Sequence, residues 1–274
     1  MKVKEIPISL FYTLKLLTAS TQRLKARKGE EVSTIVSLTS IPSRMAIVHI
    51  TIRSLLNQSV TPEKIVLWLH HDLKQTLPKK LSKLEGDIFE IRFSELTCSH
   101  RKLVHAIEFF PSKTIITCDD DMIYDSNWLK LLYLEHKKYP KDVIANQTRY
   151  INYSKTGDLL PYKEWSQTKN TTFNQKAVLP IGAGGVLYPS GVLSEKTINR
   201  SLFLKLTPKA DDLWFKAMSL LKETSCRTSD KTHGKPIPIM GSQIESLKKN
   251  NVDGDKNRSQ WLAVTNHFKL NLNN

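Results

Sequence analysis

Three consecutive aspartates, Asp119, Asp120 and Asp121, stand between the apolar run TIITC and the residues MIY. Like charges this close repel one another, and withdrawing them from water is costly unless something positive compensates. Carboxylates bracketed by apolar residues are poor surface decoration, and the chemistry they suit is the holding of a cation. On a strand running from 113 to 120, alternation turns Asp119 and Asp121 to one side and Asp120 to the other. Two carboxylates, supplemented by water and by the oxygens of a diphosphate, match an octahedral Mg²⁺ or Mn²⁺ that takes few protein ligands. A solvated turn or a helix cap is the plainer use of such a triplet, but Asp125 or Ser126 already supplies a cap for the segment that follows.

A second acidic pair, Asp211 and Asp212, opens the helical pattern ADDLWFKAMSLL; a carboxylate at a helix start is also a cap. Arg44 in SLTSIPSR, and Arg101 with Lys102 at the head of RKLVHAIEFF, place cations at a loop and at a helix N-terminus. Both positions favour phosphate, although a solvated charge is the ordinary fate of an Arg or Lys. The run GAGG at 182–185 either lets backbone approach a ligand closely or makes a tight turn. His233 and His267 are lone histidines, which are more often structural or solvated than metal ligands.

The surrounding pattern predicts the elements that position these groups. VSTIVSLTSI (32–41) reads as a buried strand, MAIVHITIRSLLNQS (45–59) as a helix and EKIVLWLH (63–70) as a second strand, which is a right-handed β-α-β unit with parallel strands. Strands over 89–95 and 113–120 alternate with helices over 77–84, 101–110 and 126–140, the last stopped by Pro140. The region 142–153 reads as one strand. The expected fold class is α/β, a doubly wound, mostly parallel sheet with helices on both faces, which binds ligands beyond the carboxyl ends of its strands.

Composition narrows the partners. The formal charge is +15, from 41 Lys and Arg against 26 Asp and Glu, and this points to an anionic partner. Without zinc-finger, RNP-type or helix-turn-helix patterns, nucleic acid ranks behind phosphorylated substrates and lipid head groups, and none is expected. Three cysteines without metal spacing suggest free thiols in the cytoplasm. No apolar run reaches the length needed to cross a bilayer. Residues 1–30 read as a basic amphipathic segment: Leu10, Leu14 and Leu17 share a helical face, with Arg23, Lys25, Arg27 and Lys28 after it. Such a helix either packs on its own domain or lies on an anionic membrane surface at the inner face of the cell membrane. Residues 31–274 read as one domain, with 31–125 binding a donor and 126–274 an acceptor.

The strand-borne CDDDMIY, taken with VSLTSIPSRMAIVHITIRSLLNQSVTPEKIVLWL, resembles the GT-A class of nucleotide-sugar glycosyltransferases, and in particular bacterial enzymes that build capsule, lipopolysaccharide or related surface glycans. The resemblance covers roughly 32–225. It implies a Mn²⁺- or Mg²⁺-dependent transfer of a sugar from a nucleoside diphosphate donor, with UDP expected, to a hydroxyl of a glycan or lipid-linked acceptor. Under it Asp121 is the principal metal ligand, Asp119 contacts metal or ribose, and Asp120 lies near the sugar. Thr39 and Arg44 bind base or diphosphate, Arg101 and Lys102 meet the nucleotide, and Gly184 and Gly185 lie under the donor sugar. Asp212 becomes the general base of an inverting reaction, with Asp211 as its helper. A nucleotidyltransferase acting on sugar phosphates and a non-catalytic basic adaptor are the rival readings.

Overall fold

The computed structural model describes residues 5–166, 174–231, 234–242 and 254–272. Its strands are β1 (Glu31–Thr39), β2 (Thr61–His70), β3 (Phe89–Ser94), β4 (Thr114–Thr117), β5 (Met122–Ile123), β6 (Val143–Ala145), β7 (Thr148–Tyr150), β8 (Val178–Pro180), β9 (Val186–Tyr188), β10 (Cys226–Thr228) and β11 (Ile237–Pro238). The α-helices are α1 (Ile6–Thr18), α2 (Thr21–Lys25), α3 (Val48–Leu56), α4 (Lys79–Ser82), α5 (Arg101–Phe109), α6 (Trp128–Lys138), α7 (Arg200–Leu206), α8 (Asp211–Leu221) and α9 (Lys256–Phe268).

Seven strands form the central sheet in the order β10-β6-β9-β4-β1-β2-β3. β1 pairs parallel to both β2 and β4, and β2 pairs parallel to β3. β9 alone runs against its neighbours β4 and β6, and β6 and β10 are again parallel. The sequence of β1 accounts for its central place, because both of its faces are apolar enough to be covered. Val36 and Leu38 face a cluster with Val48, Ile52 and Leu55 of α3 and Leu129 and Leu132 of α6. Ile35 lies on the opposite face with Val66 and Trp68, and there Ser37 accepts the Trp68 indole N–H at 2.9 Å and donates to the Lys102 carbonyl of α5. Helices therefore cover both faces, as the α/β reading expects.

Chain order reverses between β1 and β4, and the crevice position of an open α/β sheet, where ligands usually bind, lies beyond the carboxyl ends of these two strands. Most elements are shorter than the sequence reading, α3 spanning Val48–Leu56 and not 45–59, and two differences go further. β4 ends at Thr117 rather than 120. Cys118 donates the last bond to β1, at the Ser37 carbonyl (3.2 Å), after which the chain leaves the ladder and turns. The segment 142–153 is two strands in different sheets: β6 joins the central sheet, whereas β7 pairs antiparallel with β8. A short antiparallel pair of β5 and β11 follows the aspartates. Among the described residues no helix is long and apolar enough to cross a membrane.

Candidate active site

The three aspartates sit on the turn between β4 and β5, at the mouth of the crevice. Since they are past the strand, pleat alternation does not apply to them. Asp120 and Asp121 instead share one cation: Arg44, from the single 3-10 turn after β1, places its guanidinium 2.5 Å from Asp120 Oδ1 and 3.1 Å from Asp121 Oδ2. Ser40 donates to Asp120 Oδ2 at 2.5 Å, and Thr51 of α3 donates to the carbonyls of Asp120 and Met122 at 2.8 and 2.9 Å. Asp120 is thereby the anchor that ties the β1 loop to the turn. Tyr124 fixes the other end, its hydroxyl accepting from the Asp119 N–H at 2.9 Å and donating to the Ala183 carbonyl at 3.2 Å.

Asp119 faces differently. Its carboxylate is one-third exposed and lies 3.0 Å from the Lys102 ammonium, which is also 3.0 Å from Asp211 Oδ2. Asp212, beside it at the start of α8, accepts the Gly182 N–H on both oxygens, at 3.1 and 3.2 Å. Gly182 marks the meeting point of these groups. A methyl there would stand 3.0 Å from Asp212 Oδ1, 3.1 Å from Lys102 Nζ and 3.5 Å from Asp119 Oδ1. Lys102, buried on α5, thus links the turn after β4 to the start of α8.

Burial drives the electrostatics. It pushes the Asp121 carboxyl up to about 7, with Asp119 adding to the shift and Arg44 opposing it. Burial and then the Asp211 charge push Asp212 up to about 8, against the pull of Lys102. Burial also works against the Lys102 charge, but Asp119, Asp211 and Asp212 outweigh it and hold the ammonium well above the ordinary lysine value. Asp211 moves the other way: Lys102, helped by His100, overcomes burial and keeps it below the usual carboxylate range.

Arg44 pairs with Asp120 and Asp121, and Lys102 with Asp119 and Asp211; a hard divalent ion would further favour the ionised form of carboxylates gathered this closely. Among the described residues no three His, Cys, Asp or Glu side chains form a ready-made cage. The donor set fits an ion of the Mg²⁺ type, which takes one or two carboxylates and draws its other ligands from water and phosphate.

Several sequence-based expectations change. Arg101 does not reach the crevice: it is buried at the head of α5 and donates to Thr39 Oγ1, the Leu96 carbonyl and the Ser40 carbonyl. Thr39 in turn donates to the Trp68 carbonyl at 2.9 Å, so these two expected nucleotide contacts hold the β1 loop in shape. Gly184 and Gly185 are buried against protein. A methyl would meet Gln147 Cγ at 2.8 Å on Gly184 and Trp128 Cζ2 at 2.4 Å on Gly185, whose φ is +93°, and the Trp128 N–H donates to the Gly184 carbonyl at 2.8 Å. The glycine of GAGG at the carboxylates is Gly182. Sequence reasoning also passed over Ser40 and Tyr124; the one signal for them is adjacency to SLTSIPSR and CDDDMIY. His267 is exposed near the end of α9, and His233 lies outside the described residues.

No curated protein sequence matches the chain. Among solved structures it is similar to a 4-diphosphocytidyl-2C-methyl-D-erythritol synthase from Anaerococcus prevotii, at 10% identity over 85% of this chain and 96% of that one, with a TM-score of 0.46. It is also similar to TarS residues 1–349 from S. aureus, at 15% identity over 74% of this chain and 59% of that one, with a TM-score of 0.47. The sequence model for glycosyl transferase family 2 matches residues 44–192, which is more than half of the 274 residues and includes Arg44, Lys102 and the aspartate turn. The chain belongs to glycosyl transferase family 2.

Proposed function

We propose that the protein is a metal-dependent, inverting hexosyltransferase that moves a sugar from a nucleoside diphosphate donor, UDP-linked, to a hydroxyl of a surface-glycan or lipid-linked acceptor. In this reading it works in the cytoplasm at the inner face of the membrane. One observation carries the mechanism: Asp119 and Asp212, from elements 93 residues apart in sequence (212 minus 119), converge at Gly182, where a methyl would stand 3.0 Å from Asp212 Oδ1 and 3.5 Å from Asp119 Oδ1.

Asp119 and Asp121 would hold Mn²⁺ or Mg²⁺, with Asp120 and Arg44 setting the shape of the turn. When bound, the ion supplies Lewis-acid stabilisation of the departing diphosphate. Arg44 lies at the edge of the same turn and offers a second positive charge to the nucleotide. Asp212 takes the proton of the attacking hydroxyl. Its raised pKa suits a base, because proton acceptance is strongest when the group's pKa lies near the working pH. The Gly182 N–H orients the carboxylate, and Lys102 keeps the neighbouring Asp211 ionised, so the proton is taken at Asp212. Asp211 is a helper through charge rather than through contact with substrate. In this reading Asp212 deprotonates the acceptor hydroxyl for direct attack on the sugar carbon, which is the course of an inverting reaction.

The test is transfer kinetics with Asp212→Asn. The amide keeps an oxygen for the Gly182 N–H but cannot accept a proton. Loss of turnover with donor binding retained supports the reading; near-full turnover, or product with the donor's anomeric configuration, overturns the base assignment.

A further inference from the structure

α1 is mounted the wrong way round for a helix that belongs to a soluble core. Its inward line is Ser9, Thr13 and Leu16, and of these Ser9 and Leu16 are fully buried. The stripe Ile6, Leu10, Leu14 and Leu17, with Phe11 beside it, points outward, Phe11 61% and Leu14 54% exposed. An amphipathic helix on a globular protein buries its apolar stripe.

The orientation is built in by contacts at both ends of the helix. Ser9 donates to the Pro238 carbonyl at 2.8 Å and accepts the Met240 N–H at 3.1 Å. At the other end the buried Arg53 of α3 donates to the carbonyls of Leu16 (2.7 Å), Leu17 and Ala19. Leu16 packs with Ile50, Ile123 and Ile239. Rolling the apolar stripe inward would break all of these and bury none of the same partners. The apolar patch also continues onto the body, where Met240 is half exposed.

We propose that this face of α1 lies in the surface of a bilayer containing anionic lipid. Charge selects the occupant. Lys15 and Arg23 are exposed on the helix and just after it, Lys15 and Lys235 both line a cavity of about 270 Å³ between α1 and the body, and the chain carries +15 overall. Two copies meeting through α1 would bring these cations together, whereas anionic head groups accept them while the acyl boundary takes the stripe. The proposal rests on the reading of a membrane-side acceptor given above and adds which surface touches lipid. Because α1 packs directly on β5, the strand that follows the aspartates, docking would hold the crevice at a fixed height above the membrane.

Co-sedimentation tests it, using the full chain with vesicles of phosphatidylcholine alone and of phosphatidylcholine mixed with phosphatidylglycerol. The wild type should partition about 5- to 30-fold more to the anionic vesicles, as one to two surface cations at about 1 kcal/mol each imply. Phe11→Glu with Leu14→Glu should abolish this while leaving the unfolding midpoint and turnover of a water-soluble acceptor unchanged. Equal binding to both vesicle types, no binding by the wild type, or undiminished binding by the double variant overturns the proposal. So does a halving of solution mass on substitution, which would make a second copy the occupant. Absence of sugar transfer in every form would sink the enzymatic reading and leave the vesicle result standing.

Discussion

Replacing Lys102 by Met removes the cation that joins the two acidic groups without removing much volume. The ammonium lies 3.0 Å from Asp119 and 3.0 Å from Asp211, its side chain is 5% exposed and that of Asp211 is 12% exposed. Taking one partner from a buried ion pair costs about 3–5 kcal/mol, because the other charge stays behind in a poor solvent. For a chain of this size that lowers the melting temperature by roughly 6–20 °C at neutral pH. The sign with pH follows from Asp211. Lys102 now holds that carboxyl below the usual range, so its contribution is present above the ordinary carboxylate pKa and lost as pH falls beneath it. Without Lys102 burial prevails, Asp211 prefers its proton, and the deficit grows as pH rises and shrinks on acidification. Thermal unfolding of wild type, Lys102→Met and Lys102→Met/Asp211→Asn at acidic, neutral and alkaline pH measures this directly. The double variant should recover much of the loss, since neither charge remains. A single variant that loses less than about 1 kcal/mol, or a deficit independent of pH, would refute the claim that Lys102 is the counter-charge on which the cluster depends.

Four further outcomes follow from the same geometry. Asp212→Asn should reduce transfer by about 100- to 10,000-fold, the span of general-base contributions, with little change in donor affinity measured by calorimetry. The wild-type profile of kcat/KM should rise with pH through about 8, where Asp212 loses its proton, and this limb should disappear in Asp212→Asn. In EDTA, stability should decline as pH climbs from the ordinary carboxylate range through about 7 and 8, because Asp121 and Asp212 bind protons more tightly folded than unfolded; Mn²⁺ should flatten the Asp121 part of that slope in a differential scanning measurement. Gly185→Ala should unfold the protein or cost about 2–6 kcal/mol, from a ring overlap at Trp128 together with a left-handed φ, whereas Gly182→Ala should keep the fold and lose turnover.

The sheet could be read from the chain because β1 and β2 are long, and α3, α5 and α6 are strongly patterned, and period decides such elements locally. What escaped was side-chain direction wherever the period stops. Asp119, Asp120 and Asp121 were assigned faces by strand alternation, but the ladder ends at Cys118 and the turn hands Asp120 and Asp121 to one arginine. Arg101 and Lys102 are adjacent on α5, about 100° apart around the helix axis. One enters the β1 loop and the other the carboxylate cluster, and sequence alone treats them as equivalent cations. In GAGG the glycine at the carboxylates is distinguished from its neighbours only by where Asp212 and Trp128 arrive from distant segments. α1 carries one apolar stripe with cations after it, a spacing compatible with core or membrane; the contacts that orient it come from Arg53 and Pro238.

The most direct test of the account is a panel of nucleotide sugars incubated with an acceptor mixture from bacterial envelope, with release of nucleoside diphosphate followed by mass spectrometry in Mn²⁺ and in EDTA. The account predicts release of UDP from at least one UDP-sugar, abolished by EDTA and by Asp119→Ala. Turnover that survives both, or pyrophosphate released from a nucleoside triphosphate and a sugar phosphate in place of any transfer, would contradict it.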